Sequence, residues 1–248
     1  MPRTIISTHN VRKVYQKGAA ATVALDGVSV EIQEGEYVAI IGKSGAGKST
    51  LLYQLSLLDE PTEGEVIFLG KPTASLTDTQ RTLLRLEHLG YIFQDYALLP
   101  ELTATENVMV PMLMRGVEEE DARARAQEAL RRVEMGHRLN NRPNELSGGE
   151  QQRVSIARAI ADAPDILFAD EPTANLDTVM SFEVLEQFDR LHREGLTIVT
   201  VTHELEYARR ANRVIELRDG KILRDGPAEE VIREREAEIA EMTKELSQ

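Results

Sequence analysis

The stretch Gly42-Lys43-Ser44-Gly45-Ala46-Gly47-Lys48-Ser49 carries the plainest chemistry in this chain. It reads as a glycine, four free positions, then glycine-lysine-serine, the spacing of a phosphate-binding loop. The glycines let backbone N–H groups converge on phosphate oxygens without Cβ clashes. A helix starting at the loop aims its positive end at the same phosphates. Lys48 is expected to reach the β- and γ-phosphates, and Ser49 to hold Mg²⁺. The elements needed to position these groups are written on either side. An apolar run, residues 37–41, precedes the loop, and a helical pattern, residues 50–58, follows it. In that context a mere glycine-rich turn is the weaker reading.

Two further strings make sense beside the loop. Ile166-Leu167-Phe168-Ala169-Asp170-Glu171 is a hydrophobic strand ending in two acids. It delivers Asp170 to the metal side of a nucleotide, and Glu171, one residue on, is placed to polarise an attacking water. In Leu146-Ser147-Gly148-Gly149-Glu150-Gln151-Gln152-Arg153, a serine and two glycines open a helical run, so a second helix N-terminus is free for a phosphate. Two such helix starts are redundant in one simple site. They make sense if Ser147, Gly148 and Gly149 serve the γ-phosphate of a nucleotide held by another copy.

The 248 residues allow one large domain or two small ones, and 42% hydrophobic content suffices for a core filled mainly by aliphatic side chains. No apolar run has the length of a membrane span, and no signal-peptide pattern opens the chain. The absence of Cys excludes disulfides and thiolate metal sites. A net charge of −13 argues against a basic nucleic-acid surface and against unaided adhesion to anionic lipid. A soluble, cytoplasmic protein is expected.

Residues 4–14 and 23–32 alternate as strands, with a turn at Lys17-Gly18, and suggest an antiparallel sheet leading into the core. Short strands are expected at 65–69 and 90–93, the latter closed by Gln94, with a helix capped by Thr77-Asp78 between them. Strand signals vanish over 103–133, where two helices with a break near Gly116 fit. Residues 165–170, 197–202 and 213–217 read as strands, the second central and parallel, and 181–191 and 204–210 as helices. A hairpin follows at Asp219-Gly220. The fold class is α/β: a phosphate-loop NTPase with a mostly parallel core sheet, an N-terminal antiparallel β subdomain and an inserted helical subdomain. The division expected is core at 1–94 and 164–226, helical insertion at 95–163 and a helical tail at 227–248. Pro227 suits the first position of that tail, whose stripe of Val231, Ile232, Ile239, Met242 and Leu246 is expected to pack on its own domain rather than on a partner helix.

With these motifs in this order, the chain resembles the nucleotide-binding subunit of ATP-binding-cassette (ABC) transporters over roughly residues 4–226. LSGGEQQR resembles that family's signature sequence, with Glu150 where Gln is frequent. The resemblance implies further roles residue by residue. Gln94 matches the glutamine that contacts Mg²⁺ and attacking water and senses the membrane subunit. His203, just past the strand at 197–202, matches the histidine that contacts the γ-phosphate. Ala174-Asn175-Leu176-Asp177 matches the loop that crosses between the two copies, and Tyr15 stands where an aromatic stacks on adenine. The phosphate loop as a whole, with Thr50 beside it, completes the nucleotide contacts. His9, His88, His137 and His192 read as surface residues without chemical neighbours.

The same resemblance implies two copies sandwiching two ATP molecules. Each site would take Lys48, Ser49, Gln94, Asp170, Glu171 and His203 from one copy and Ser147, Gly148 and Gly149 from the other. It implies ATP and Mg²⁺ as cofactors, no nucleic-acid partner, and a peripheral place at the cytoplasmic membrane face through an integral permease. Asp95-Tyr96-Ala97-Leu98-Leu99-Pro100, apolar in a segment expected to be exposed, is the expected docking region, near Leu98. The strings LLDEPTEG, LGYIFQ, LPELTATENV and DEPTANLD resemble the lipoprotein-releasing and macrolide-exporting group. That group also contains a cell-division ATPase, so an ATP-gated mechanical regulator stands as the alternative to an export ATPase. A soluble ABC ATPase acting on DNA or in translation fits less well, since the chain has one cassette and no long heptad stretch or zinc insertion.

Overall fold

The computed structural model describes residues 3–17 and 20–246. Its strands form two sheets. β1 (Thr4–Lys17) and β2 (Ala20–Gln33) make a long antiparallel hairpin, extended by β4 (Glu63–Phe68) and β5 (Lys71–Pro72) in the order β2-β1-β4-β5. The register of β1 against β2 slips between Thr8 and Val11, where Asn10 takes φ 50°. The turn expected at Lys17-Gly18 involves Gly18, which lies outside the described residues.

The second sheet has six strands in the order β10-β9-β3-β8-β7-β6. β3 (Tyr37–Gly42), β8 (Thr197–Val201), β7 (Ile166–Asp170) and β6 (Leu89–Ile92) are parallel neighbours. β9 (Arg213–Arg218) joins β3 in parallel, and β10 (Lys221–Pro227) closes the edge antiparallel. Every residue of β3, β7 and β8 is buried, so these strands are covered on both faces. Alternation sorts β3 cleanly. Val38 and Ile40 pack with Leu51, Leu52 and Leu55 of α1 (Lys48–Leu55) and with the antiparallel layer. Tyr37, Ala39 and Ile41 pack on the opposite side, in a core shared with Val184 and Phe188 of α6 (Thr178–Arg193). Because β3, β6, β7 and β8 run the same way, their C-terminal ends, with Gly42, Gln94, Asp170 and His203 at or just beyond them, meet one edge of the sheet.

α2 (Asp78–His88) precedes β6, and Thr77 caps it in a capping box with Gln80, as its sequence suggests. Three helices then lie outside the strand order. α3 (Ala104–Met114) and α4 (Glu119–Arg132) are separated at Gly116, whose φ is 84°. α5 (Gly148–Ile160) follows a one-turn 3₁₀ segment. Ala122, Ala126 and Ala129 form the buried face of α4, which lets it approach its neighbours closely.

Some boundaries differ from expectation. α1 begins at Lys48 and ends at Leu55, because Leu57 turns the chain at φ 57°. The helix expected over 204–210 is a single turn, α7 (Leu205–Ala208). Pro227 does not open the tail helix. It pairs with Arg213 as the last residue of the edge strand, where a missing N–H costs no interior ladder bond, and α8 (Ala228–Leu246) starts one residue later.

The first half of α8 packs on its own chain through Ala228, Val231 and Ile232. Arginines then hold it. Arg224 pairs with Glu216, Glu234 and Glu238, Arg218 with Glu238, and Arg209 with Glu236. Glu216 on β9 is 1% exposed and is met by both Arg224 and Arg235. Ile239 and Met242, farther along, are exposed, and the side chain of Leu246 lies outside the described residues. Among the described residues no helix is long and apolar enough to cross a membrane.

Candidate functional site

The phosphate loop leaves β3 at Gly42, whose φ of 154° and whose approach to Leu217 exclude a side chain, since a Cβ there would lie 2.5 Å from the Leu217 carbonyl oxygen. Gly47 caps α1 at φ 99°, and a Cβ on it would lie 2.4 Å from the Ala24 carbonyl oxygen. Lys43, Ser44 and Gly45 stand exposed above this base, whereas Ala46 is buried. Lys48 is only 8% exposed, and its ammonium donates to the Lys43 carbonyl at 3.2 Å, arching back over the loop. A cation held over a run of small residues at a helix start has the chemistry to receive phosphate oxygens.

At the second residue of the same helix, the Ser49 hydroxyl donates to Asp170 Oδ1 at 3.0 Å. Burial pushes the Asp170 carboxyl above its ordinary range; the Ser49 hydrogen bond opposes this, and the neighbouring Glu171 adds to it. Tyr53, one further turn along α1, has its phenol raised, first by burial and then by the nearby Asp170. Ser49 and Asp170 are hard oxygen donors side by side, which fits Mg²⁺ bound through few protein ligands with phosphates and waters completing its octahedron. Among the described residues no group of three His, Asp or Glu forms an all-protein metal cage.

Glu171 departs from the strand abruptly. Its φ is 44°, rare for a residue with a side chain, and it is held there by its N–H bonded to the Val201 carbonyl at 3.1 Å and its carbonyl accepting from Ala174 at 3.1 Å. Backbone strain fixed from both sides marks a placed side chain. The Glu171 carboxylate faces His203, with Oε2 3.2 Å from Nδ1. His203 is 56% exposed, and its Nε2 lies 3.3 Å from Glu204.

The remaining expected residues fall at different distances from this cluster. Tyr15, 41% exposed, donates its hydroxyl to Asp59 at 2.8 Å, and the Lys13 ammonium lies 5.0 Å from its ring centre. Burial and the Asp59 hydrogen bond push its phenol up to about 12, with Thr50 at the start of α1 opposing the shift. Gln94 is exposed, and its carbonyl accepts from Asn175 at 2.8 Å, joining it to the segment after Glu171. Asp177 caps α6, accepting from the Met180 N–H at 2.9 Å.

Ser147, Gly148 and Gly149 stand apart. Among the described residues no hydrogen bond or ion pair joins them to the phosphate loop, Asp170, Glu171 or His203. Ser147 caps α5, its hydroxyl accepting from the Glu150 N–H at 3.3 Å while the Glu150 carboxylate accepts from the Ser147 N–H at 2.8 Å. Gly149 is buried against Met180, and a Cβ there would lie 2.0 Å from the Met180 methyl. The Ser147 N–H, followed by the Ser147 hydroxyl and Arg138, holds the Glu150 carboxyl below its usual range against the cost of burial. One chain therefore presents two separate helix starts opened by glycine, at Gly47 and at Ser147-Gly148.

A family model described as ABC transporter matches residues 25–174. The chain belongs to the ABC transporter ATP-binding family. It is 47% identical over 219 residues to the lipoprotein-releasing system ATP-binding protein LolD of Aquifex aeolicus, covering 88% of this chain and 96% of that protein. It is also 47% identical over 225 residues to a macrolide export ATP-binding/permease protein MacB of Rhodopseudomonas palustris, covering 91% of this chain but 34% of that longer protein. A dimeric ATP-binding cassette solved in a post-hydrolysis state with ADP and Pi matches with a TM-score of 0.84 at 41% identity, over 90% of this chain and 99% of that one. The relationship to the LolD and MacB group expected from the sequence holds.

The cassette also has a groove where α2 and β6 meet α3 and α5. Its volume is about 290 Å³, and Leu58, Leu86, Tyr91, Phe93, Pro111 and Met114 contribute its apolar lining. Met114 is 62% exposed. Arg85 and Arg158 also face it, and neither pairs with a carboxylate within ion-pair distance. Arg158 donates to the carbonyls of Tyr96 and Ala97, and its burial lowers the guanidinium to about 10. Tyr96 and Ala97 both have positive φ, at 62° and 46°, so the arginine pins an unusual loop just after Gln94. Leu98 turns inward and packs against the larger core cluster, whereas Leu99 is exposed. All four histidines read as isolated surface residues have neighbours: His88 Nδ1 is 2.6 Å from Asp165, the His192 ring lies 5.6 Å from that of Tyr37, His9 Nε2 is 3.3 Å from the Ser7 hydroxyl and His137 Nε2 is 4.0 Å from Glu150.

Sequence reasoning missed Tyr53 and Arg158, and it named Asn175 only within the loop crossing between copies, not for its bond to the Gln94 carbonyl. Tyr53 was within reach, because it lies four residues after Ser49 on the same helical face. Asn175 and Arg158 act on loop carbonyls distant in sequence and leave no local spacing signal.

Proposed function

We propose that this chain is the ATP-hydrolysing subunit of an ABC transporter complex, working as a two-copy ATP sandwich that drives a separate membrane permease of the lipoprotein-release or macrolide-export type. The observation that carries this reading is Glu171. It is held at strained backbone angles just beyond the Ser49–Asp170 pair, with His203 at 3.2 Å.

On this reading the loop N–H groups and Lys48 bind the triphosphate, and Tyr15 stacks on the adenine. Ser49 and Asp170 would hold Mg²⁺, which neutralises charge on the phosphates when bound. Glu171 accepts the proton of the attacking water, and Gln94 and His203 orient water and γ-phosphate. Ser147, Gly148 and Gly149 of the second copy complete the γ-phosphate site from the opposite side. Closure then depends on ATP binding the closed state more tightly than the open one, and loss of the γ-phosphate loosens it. Both sites of a homodimer carry Glu171 and are hydrolytically competent.

The segment 95–163 is the arm that the permease moves, and its docking region lies near Leu98 together with the groove rimmed by Met114. The apolar lining and exposed rim of the groove support this placement. The chain then sits at the cytoplasmic membrane face through the permease alone. The Glu171→Gln variant tests the core of the reading. It is expected to bind ATP, to lose turnover and to accumulate as a nucleotide-bound dimer on gel filtration. Turnover equal to that of the parent protein refutes the assignment.

A further inference from the structure

The signature helix start contains a contradiction in charge. Its N–H groups and the Ser147 hydroxyl are arranged for an anion, yet a carboxylate, Glu150, sits among them. Its Oε2 accepts from the Ser147 N–H at 2.8 Å. Left uncompensated, that charge repels a phosphate and competes with it for the serine hydroxyl proton. The same capping box occurs at Thr103 and Glu106, where one carboxylate oxygen takes both the backbone N–H and the hydroxyl proton, each at 2.8 Å. At Ser147 the box is looser: the backbone N–H donates to Oε2 at 2.8 Å, while the hydroxyl acts on the same carboxylate less closely than at Thr103. Glu150 Oε1 is drawn aside by Arg138, whose Nε donates to it at 3.0 Å.

Arg138 is not on a loose loop. The Leu139 carbonyl accepts from the Thr105 N–H at 3.0 Å and the Thr105 hydroxyl at 2.8 Å, and the Asn141 carbonyl accepts from the Ala104 N–H at 2.8 Å. The loop bearing Arg138 is thereby stapled to the first turn of α3, and the guanidinium is presented from a fixed base. The only other cationic group near Glu150 among the described residues is the exposed His137, 4.0 Å away and charged only when protonated.

We propose that Arg138 is a positioning residue for nucleotide-driven closure: by neutralising Glu150 it keeps the Ser147 hydroxyl and the N–H groups of Gly148 and Gly149 available to the γ-phosphate held by a second copy of this chain. This rests on the two-copy ATP sandwich. One unit charge about 4 Å from a phosphate changes affinity by about fivefold under full water screening and by several hundredfold at surface-like dielectric, so about tenfold per site is the expectation for a well-screened pair. A dimer has two such sites, so its association constant changes by about a hundredfold.

The test uses the full chain in the Glu171→Gln background, with ATP-dependent dimerisation followed by analytical ultracentrifugation. Arg138→Gln keeps a hydrogen-bond donor but removes the charge, and is expected to weaken dimerisation by about a hundredfold. MgATP affinity of the monomer, measured with a fluorescent nucleotide, stays unchanged, because the monomer's own phosphate loop is elsewhere. Adding Glu150→Gln to Arg138→Gln restores dimerisation, and Arg138→Lys retains most of it. A purely structural role for Arg138 predicts no rescue by Glu150→Gln. Dimerisation of Arg138→Gln at parental strength, or a double variant as weak as the single one, overturns the proposal. A Gly149→Asp control separates the two levels. If it fails to dimerise while Arg138→Gln dimerises normally, Arg138 alone is refuted. If Gly149→Asp still dimerises, the two-copy site is refuted and the proposal falls with it.

Discussion

Asp170→Asn is expected to make the nucleotide-free protein more stable while removing its response to Mg²⁺. The Asp170 side chain ends a fully buried strand at 6% exposure. Its charge is opposed by burial and by the adjacent Glu171, and is supported by Ser49, Tyr53 and the more distant attraction of Lys48. Asparagine keeps an acceptor for the Ser49 hydroxyl and nearly the same volume. The substitution therefore deletes the desolvation and repulsion costs and loses mainly the Lys48 attraction. Functional-site relaxations of this kind commonly gain about 0.5–2 kcal/mol. For a chain of this length that is a rise of roughly 2–4 °C in Tm per kcal/mol. Thermal unfolding with nucleotide absent measures the gain. The same scan with ATP, with Mg²⁺ or with EDTA, measures the cost. The parent gains extra stabilisation when Mg²⁺ accompanies ATP, through binding linkage. The variant is expected to lose that increment and to turn over ATP at a small fraction of the parental rate. A variant less stable than its parent without nucleotide, or one with an intact Mg²⁺ increment, refutes the reasoning.

Three further outcomes follow from other parts of the structure. Gly47→Ala forces a side chain to φ 99° and against the Ala24 carbonyl oxygen, so a destabilisation of about 1–3 kcal/mol is expected in urea unfolding, together with loss of nucleotide binding. The Glu238 carboxyl is held down to about 2 by Arg224 and Arg218, from an ordinary value of 4.5. A depressed folded value means its contribution is present above pH 4.5 and fades as pH falls towards about 2, so amide exchange in α8 should rise over that window before the core sheet opens. Arg85→Glu reverses one of the two cations that face the groove without a carboxylate partner among the described residues. It should leave the ATPase of the isolated chain unchanged and reduce cross-linking of a probe at Met114 to the membrane partner by about tenfold.

What could be read from the sequence was what lies close together in the chain. The phosphate loop, the Asp170-Glu171 pair and the three capping serine or threonine positions are set by neighbours within four residues. Spacing alone exposes them. The parallel sheet was legible because residues 166–170 and 197–201 are continuous apolar runs, which only strands covered on both faces need. The failures share the opposite property. Leu98 packs inward because Arg158, sixty residues later, pins the preceding carbonyls and turns the chain. His192 ends an amphipathic helix and looks like a surface residue, but its face of α6 lies over Tyr37 of β3. The role of Pro227 was misjudged because a proline before a helix and a proline ending an edge strand have the same local signature.

Charge explains why one copy is an incomplete machine on this reading. Around the γ-phosphate position the chain supplies Lys48 as its buried cation, against Asp170, Glu171 and Glu204. A triphosphate adds several more negative charges. Mg²⁺ offsets part of this, but no further fixed cation from the same chain reaches the cluster among the described residues. The second receptor, at Ser147, is built on a different helix with its own carboxylate already neutralised by Arg138. Two copies each carrying −13 repel one another, so closure needs a specific attractive bridge at the centre of the interface. A γ-phosphate shared between Lys48 of one copy and the α5 helix start of the other is such a bridge, and hydrolysis is what removes it. The acidity that makes the open state favourable after hydrolysis is thus part of the switch, because it sets the repulsion against which the bound nucleotide must act.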